Sequence, residues 1–390
     1  MQYRKLGNTD AKVSVLGFGA MRLPTINDEK NNINKNEATK LLDYAIKNGI
    51  NYIDTAYPYH GNDFTKEGES ERFLGKYFSN SFKNNKFQRE DIYIATKMPS
   101  WLIKTENDME KIFNRQLELL QTDYLDFYLI HSVKKDIWNP LKDLNVLKFL
   151  DKLKDENKAR YIGFSFHDSF DFFIEVLDDY NWDITQTQMN YLDVDFQSGL
   201  DGLRYADALG LGNIIMEPLR GGKLANNIPS DIQAIWNSYD EKRTPAQWAF
   251  KYLYNMREVD LVLSGMNTME QLKENIAIAN NSLANTMSAQ EKELIKEVAK
   301  EYKSKKGNDC NGCGYCMPCP QGVMIPDCFK EYNQSYIFNE HEQTKHHYNL
   351  VLNNNQKASN CINCGLCVKL CTQQINIPEE LKKVKKLFED

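Results

Sequence analysis

The strongest constraint on this chain is a repeated pattern: a short apolar or β-branched run, a turn, then an amphipathic helix, eight times in about 290 residues. The runs are VSVLGFG (13–19), NYIDTA (51–56), DIYIATK (91–97), LDFYLIHS (125–132), ARYIGFSF (159–166), DITQTQM (183–189), GNIIMEP (212–218) and DLVLSGM (260–266). Helical periodicity fills the gaps, as in EATKLLDYAIKNG (37–49), ESERFLGKYF (69–78) and VLKFLDKLKDE (146–156). Near-continuous apolar strands suit a sheet buried on both faces, and strands separated by helices run parallel with right-handed crossovers. Eight such units predict an α/β fold, a closed (β/α)8 TIM barrel, with a doubly wound open sheet as the competing arrangement. Ahead of the first unit, QYRKLG and KVSVLG around NTD read as a β-hairpin that caps the bottom of the barrel.

A second kind of domain follows. All nine cysteines lie after residue 309. The charged stretch KEYKSKKGND (300–309) ends in a Gly and reads as a helix end leading into a linker. The expected division is a barrel over 1–290, a linker helix over 291–305 and a cysteine-bearing domain over 306–390. Composition agrees with a soluble globular chain, at 42% hydrophobic and 26% charged residues. The net charge of −6 argues against a nucleic-acid binder, which carries a basic surface. No run reaches the roughly 18 apolar residues that span a bilayer. The first residues lack the apolar core of a signal peptide, so a cytoplasmic protein is expected.

Chemistry in a barrel sits at the C-terminal ends of the strands. The second run ends at Asp54, with Tyr59 five residues on; the third ends at Lys97 and the fourth carries His131. A Lys closing an apolar strand needs a partner, because burying an unpaired ammonium costs several kcal/mol. Asp54, on the neighbouring strand, is the natural one. A Lys beside a Tyr favours phenolate and so should lower the phenol's pKa, making a general acid for a carbonyl oxygen. Taken singly, each residue has a bland reading: a helix cap, a structural histidine, a loop tyrosine. Their joint spacing is harder to reach by accident. Trp101, Tyr57, Trp138 and Met21 stand near strand ends and are candidates to line an apolar pocket.

With these residues the sequence resembles the aldo-keto reductase family. The matching motifs are GFGAMRLP (17–24), DTAYPYHG (54–61), IATK (94–97), YLDFYLIHS (124–132), YIGFSFHD (161–168), QTQMNYLD (186–193), MEPLRGGKL (216–224) and MNTMEQLKEN (266–275). The likeness covers about residues 1–285. It implies that Tyr59 is the proton donor, that Lys97 paired with Asp54 tunes it, and that His131 orients the substrate carbonyl. It implies a nicotinamide nucleotide, NADP or NAD, held by Ala20, Met21, Ser165, Gln186, Met216, Leu219, Gly265, Gln271, Glu274 and Asn275. Gln186 and Ser165 look like the pair that holds the carboxamide, with Asn190 in the same region. Met216 falls where many members stack an aromatic, and a thioether also packs on a ring face. Basic residues that select the 2′-phosphate are missing at Gly265, Met266 and Gln271, leaving Lys273 or Arg220 as substitutes.

The cysteines carry a separate chemistry. Residues 310–320 read CNGCGYCMPCP and residues 361–371 read CINCGLCVKLC. Three thiolates at two-residue spacing wrap one cubane cluster, and the fourth cysteine of such a run ligates the other cluster. Zinc is the alternative, since C-x2-C pairs also build zinc sites. The pattern resembles bacterial two-cluster ferredoxin domains. It implies two [4Fe–4S] clusters, one on Cys310, Cys313, Cys316 and Cys371, the other on Cys361, Cys364, Cys367 and Cys319. Thr372 replaces the usual Pro, and the first run has two rather than three residues before its last cysteine. The insert DCFKEYNQSYIFNEHEQTKHHYNLVLNN reads as helical, giving a mainly α-helical ferredoxin-like domain. Cys328 reads as a packing residue, and His341, His346 and His347 as a solvated helix face.

The expected function is therefore an NAD(P)H-dependent oxidoreductase that reduces a small aldehyde or ketone and carries two accessory clusters. No Gly-rich flavin fingerprint joins the two-electron and one-electron chemistries. The cluster domain would be structural, redox-sensing or a port for a redox protein partner. The other class of reading is an electron-transfer or redox-sensing protein whose barrel binds nucleotide with little turnover.

Overall fold

The computed structural model describes residues 1–281 and 283–390. Among the described residues there are ten strands: β1 (Tyr3–Lys5), β2 (Lys12–Ser14), β3 (Leu16–Gly19), β4 (Tyr52–Asp54), β5 (Tyr93–Pro99), β6 (Leu125–Val133), β7 (Ala159–Phe166), β8 (Ile184–Gln188), β9 (Gly212–Met216) and β10 (Leu261–Ser264). β3 to β10 close into a barrel in which every neighbouring pair runs parallel, β10 joining both β9 and β3. The eight runs read from the sequence are its eight staves, so the closed barrel holds and the open sheet does not. The first run, taken as one strand, is in fact two. Lys12–Ser14 pairs antiparallel with β1 as the hairpin, and Leu16–Gly19 enters the barrel.

Strand alternation sorts the side chains. Ile53, Ile94, Tyr128 and Ile130 point outward into the layer between the barrel and its helices. Tyr52, Ala95, Phe127, Leu129, Ile184, Ile214 and Leu261 point inward. The hairpin closes this interior from below with Leu6, Ala11 and Val13. That closure needs a glycine: Gly7 has φ +54°, and a β-carbon there would lie 2.3 Å from the Gly212 amide nitrogen. The surrounding helices begin where the sequence offers caps, for example the reciprocal box of Thr105 and Asp108 ahead of Glu106–Leu120.

The chain divides into two compact units, 1–224 with 244–288, and 225–243 with 289–390. The helix Ala289–Ser304, in which the expected linker falls, counts with the second unit. So does Ser230–Asn237, from the excursion after β9. Within that unit Arg243 bonds the buried Glu291 at 2.8 Å, and Lys305 pairs with Asp231. Its core gathers Val323, Phe329, Tyr348, Leu381, Val384 and Phe388. The expected helical insert is two helices, Ile325–Phe338 and His341–Val351. Asn339, in the left-handed conformation at φ +52°, ends the first. Among the described residues no helix is long and apolar enough to cross a membrane.

Candidate active site and cysteine cleft

Inward-facing positions two residues apart carry the apolar core upward until it becomes polar. Tyr52 leads to Asp54, Ala95 to Lys97, and Leu129 to His131. On the far wall Ser165 is in register with Gln186, and Gln188 with Met216. β5 and β6 run on to Pro99 and Val133, so Lys97 and His131 lie two residues inside the strand ends. The strand register shifts between Ile130 and Val133, and Ser132 takes φ +55°. The freed Ser132 N–H donates to the Ser165 hydroxyl at 2.8 Å, which ties the His131 strand to the Gln186 side of the site.

Lys97 is the centre. It is fully buried, and its ammonium donates to Asp54 Oδ1 at 2.7 Å, to the Thr55 carbonyl at 2.8 Å and to the Tyr59 hydroxyl at 3.3 Å. Burial alone lowers the Lys97 pKa, but Asp54 and Tyr59 carry it above its ordinary value. The Tyr59 ring meets the His131 ring edge-on at 6.0 Å, and Trp101 lies 5.2 Å from His131 on another side. Burial, reinforced by Lys97 and His167, holds His131 well below its ordinary pKa, so the imidazole is neutral. Its Nδ1 is buried without a hydrogen-bond partner, as are Asp54 Oδ2 and Gln186 Oε1. Tyr59 departs from expectation. Burial raises its pKa, and Lys97 opposes that rise without reversing it. A neutral phenol therefore persists through neutral pH. The backbone of Tyr59 is clamped from beneath: Ser70 N–H donates to its carbonyl at 3.2 Å, and a β-carbon at Gly68 would lie 2.0 Å from that oxygen.

The remaining candidates fall into two groups. Gln186 donates to the Met216 sulfur at 3.8 Å, beside Ser165. Ala20 accepts from the Ser70 hydroxyl, Met21 is exposed, and Leu219 packs at the margin of the core. Around the end of β10, Asn275 donates to the Ser264 hydroxyl at 3.1 Å, Gln271 accepts from Asn267 N–H, and Glu274 accepts from the Thr244 hydroxyl. Asn190 fastens its own turn, accepting from the Leu192 and Asp193 amides at 3.0 Å. Trp138 is not at the mouth: it is buried in the outer layer and donates to Asp179. The two suggested phosphate substitutes have partners of their own. Arg220 pairs with Asp193 at 3.1 Å, and Lys273 lies over the Tyr44 ring. The aliphatic stem of Arg22 lies against Gly265, its Cβ 3.3 Å from where a β-carbon there would stand, while its guanidinium is beside Gly221 and 3.6 Å from Glu217.

The sequence reading passed over Arg22, which ends the short turn that follows the buried strand β3. It also passed over Glu71. That carboxyl is fully buried, accepting from Thr96 and, at 2.7 Å, from Gln116, whose amide nitrogen also stands 3.1 Å from the Lys97 carbonyl. Burial pushes Glu71 up to about 7. The clue was available: Glu71 shares a helix stripe with Leu74, Gly75 and Phe78.

In the second unit, Cys310, Cys313 and Cys316 from the first run line a small cleft together with Cys371 from the second. Ile325, Phe329 and Ile377 form its apolar wall. The Cys367 thiol has Cys361, Cys364 and Cys319 as its electrostatic neighbours. Among the described residues no three Cys, His, Asp or Glu side chains converge closely enough to hold a single ion. The Ile375 N–H is aimed at Cys371 Sγ at 3.4 Å, a contact that suits a thiolate. Cys328 is buried in the core against Tyr348, and His347 bonds the buried Glu331 at 2.9 Å.

Comparisons with known proteins agree with both halves. The profile of the aldo/keto reductase family matches residues 15–296, and that of the 4Fe-4S dicluster domain matches residues 309–375. The chain is 28% identical to L-galactose dehydrogenase of Arabidopsis thaliana, over 71% of this chain and 88% of that protein. It is 26% identical to Protein tas of Escherichia coli, over 74% and 96%. Among solved structures it resembles the aldo-keto reductase AKR11C1 from Bacillus halodurans in its holo form, with a TM-score of 0.61, 25% identity, and coverage of 76% of this chain and 96% of that one.

Proposed function

The chain belongs to the aldo-keto reductase family and is an oxidoreductase, and from that premise we propose that it reduces an aldehyde or ketone with NADPH or NADH. The observation that carries this reading is the Lys97 ammonium bonded to both Asp54 and Tyr59 at the inward-facing rim of the barrel. The bound nicotinamide supplies the hydride. Tyr59 donates its hydroxyl proton to the carbonyl oxygen, and the adjacent Lys97 charge stabilises the phenolate left behind. Asp54 keeps Lys97 charged and in place. Neutral His131 orients the carbonyl by a ring nitrogen. The amide of Gln186 and the hydroxyl of Ser165 are set side by side to hold a carboxamide, and the orphaned Gln186 Oε1 fits a ligand N–H. The Met216 sulfur offers a soft surface to a ring face.

The 4Fe-4S domain implies an iron–sulfur cluster, and we assign two [4Fe–4S] clusters. Cys310, Cys313, Cys316 and Cys371 would hold one, and Cys361, Cys364, Cys367 and Cys319 the other. Such clusters supply one-electron chemistry. The ordered Asp54–Lys97–Tyr59 arrangement favours turnover over a barrel that only binds nucleotide. A carbonyl panel assayed anaerobically with both nicotinamides tests the whole reading. Nucleotide oxidation that depends on the carbonyl and is lost in Tyr59→Phe is expected; binding without turnover by the fully loaded chain would favour a redox-sensing protein.

A further inference from the structure

His60 directly follows the proposed proton donor and has an unusual arrangement. It is a non-glycine residue at φ +60°, and its side chain is turned into the protein. Both ring nitrogens are engaged by backbone from other parts of the chain. Nε2 accepts from the Leu23 N–H at 3.0 Å, and Nδ1 faces the Lys30 carbonyl at 2.7 Å. Since Nε2 accepts and a carbonyl can only accept, the proton sits on Nδ1 and the ring is neutral. Its own carbonyl accepts from Glu69 N–H at 3.3 Å.

The partners matter for what they carry. Leu23 closes the short helical turn Ala20–Arg22 at the end of β3. That turn bears Ala20 and Met21, and Arg22, which lies across Gly265. Lys30 belongs to the excursion closed by the bridge of Thr25 with Ile33. We infer that His60 is a positioning residue: its imidazole staples the turn that carries Tyr59 to the 20–34 segment, so that the proton donor and this wall of the site keep one register. This rests on the reading of Tyr59 given above. Leu23 supplies the decisive bond, because it reaches the turn nearest the site, whereas the Lys30 bond holds only the outer excursion.

The test uses the full chain, loaded with clusters and handled anaerobically, as wild type and as His60→Gly, His60→Gln and Tyr59→Phe. Glycine removes both bonds and relieves the positive φ, which offsets part of the cost of the lost contacts. Glutamine keeps an acceptor long enough to reach Leu23. In His60→Gly, deuterium exchange across 20–34 should quicken at least about tenfold, and kcat should fall by about 10-fold to 10²-fold, the loss expected from misplacing an acid by around 1 Å. His60→Gln should recover part of that kcat. A lowered melting temperature with wild-type kcat would mark His60 as merely structural and overturn the inference, as would unchanged exchange in His60→Gly. If glutamine does no better than glycine, the assignment to the Leu23 bond is wrong. Wild-type turnover by Tyr59→Phe would instead overturn the reading of Tyr59 beneath it.

Discussion

The Lys97 ammonium donates to the Asp54 carboxylate across 2.7 Å, with both side chains closed off from water. A pair this deeply buried gains little net stability, because desolvation consumes most of the Coulombic attraction. Its value is positional. The third contact of Lys97, to the Tyr59 hydroxyl, is where the pair meets the site.

Breaking the pair from one side should be costly. Lys97→Met leaves Asp54 as an uncompensated buried charge and should destabilise the folded chain by about 3–5 kcal/mol. The double variant with Asp54→Leu should regain much of that loss while remaining inactive. Urea midpoints of the three proteins test this, and a double variant as unstable as Lys97→Met would contradict it.

Tyr59→Phe should lower kcat at least about 10²-fold while leaving nucleotide binding intact. Burial holds the phenol above its ordinary pKa of 10.0, so the acid form is present throughout the neutral range. Deprotonation is what ends activity, and it lies on the alkaline side. Reduction should thus be flat from about pH 7 to about pH 9. An alkaline limb near about pH 8 that vanishes in Tyr59→Phe would mean that Lys97 outweighs burial.

Arg22 lays its stem against Gly265 and holds its guanidinium beside Gly221, 3.6 Å from Glu217 and free to turn to a phosphate. A charge-assisted bond to a 2′-phosphate is worth about 1.5–3 kcal/mol, or roughly 10- to 150-fold. Arg22→Ala should therefore reduce the ratio of kcat/KM for NADPH over NADH by about that factor. An unchanged ratio would remove Arg22 from 2′-phosphate recognition.

Glu71 should make the barrel less stable as pH rises. Burial pushes its carboxyl up to about 7 in the folded chain, from an ordinary 4.5. The unfolded chain therefore releases its proton first, and stability is lost as pH climbs from the lower value through the higher. The difference corresponds to roughly 3 kcal/mol. Glu71→Gln, whose amide oxygen can still accept from Thr96 and Gln116, should flatten the curve and be the more stable protein at about pH 8. Parallel curves for the two proteins would show that Glu71 stays ionised.

Anaerobic protein should contain about eight iron and eight sulfide per chain, the stoichiometry of two four-iron clusters. Cys371→Ser should damage the cluster held by Cys310, Cys313 and Cys316, although it lies in the other run, because the four thiols share one cleft. Electron paramagnetic resonance of the reduced protein would resolve which cluster is lost. Stoichiometric zinc without iron would overturn the cluster assignment, and iron near four would leave one run outside a ligand set.

What the sequence determined alone was everything carried by period and spacing. Eight apolar runs separated by helices admit few closed arrangements, and strand alternation then aims Asp54, Lys97 and His131 inward. Cysteines at C-x2-C spacing mark a set of metal ligands by the same logic. What only the tertiary structure decided were contacts between residues far apart in the chain and balances between opposing terms. The sign of the Tyr59 shift depends on how much water its loop excludes, which no local pattern encodes. Arg22 against Gly265, His60 between Leu23 and Lys30, and Glu71 behind Lys97 each join segments that only the packed barrel brings together. The inclusion of 225–243 in the second unit belongs with them, because its helix has the same amphipathic pattern wherever it packs, and only its partner tells which core it serves.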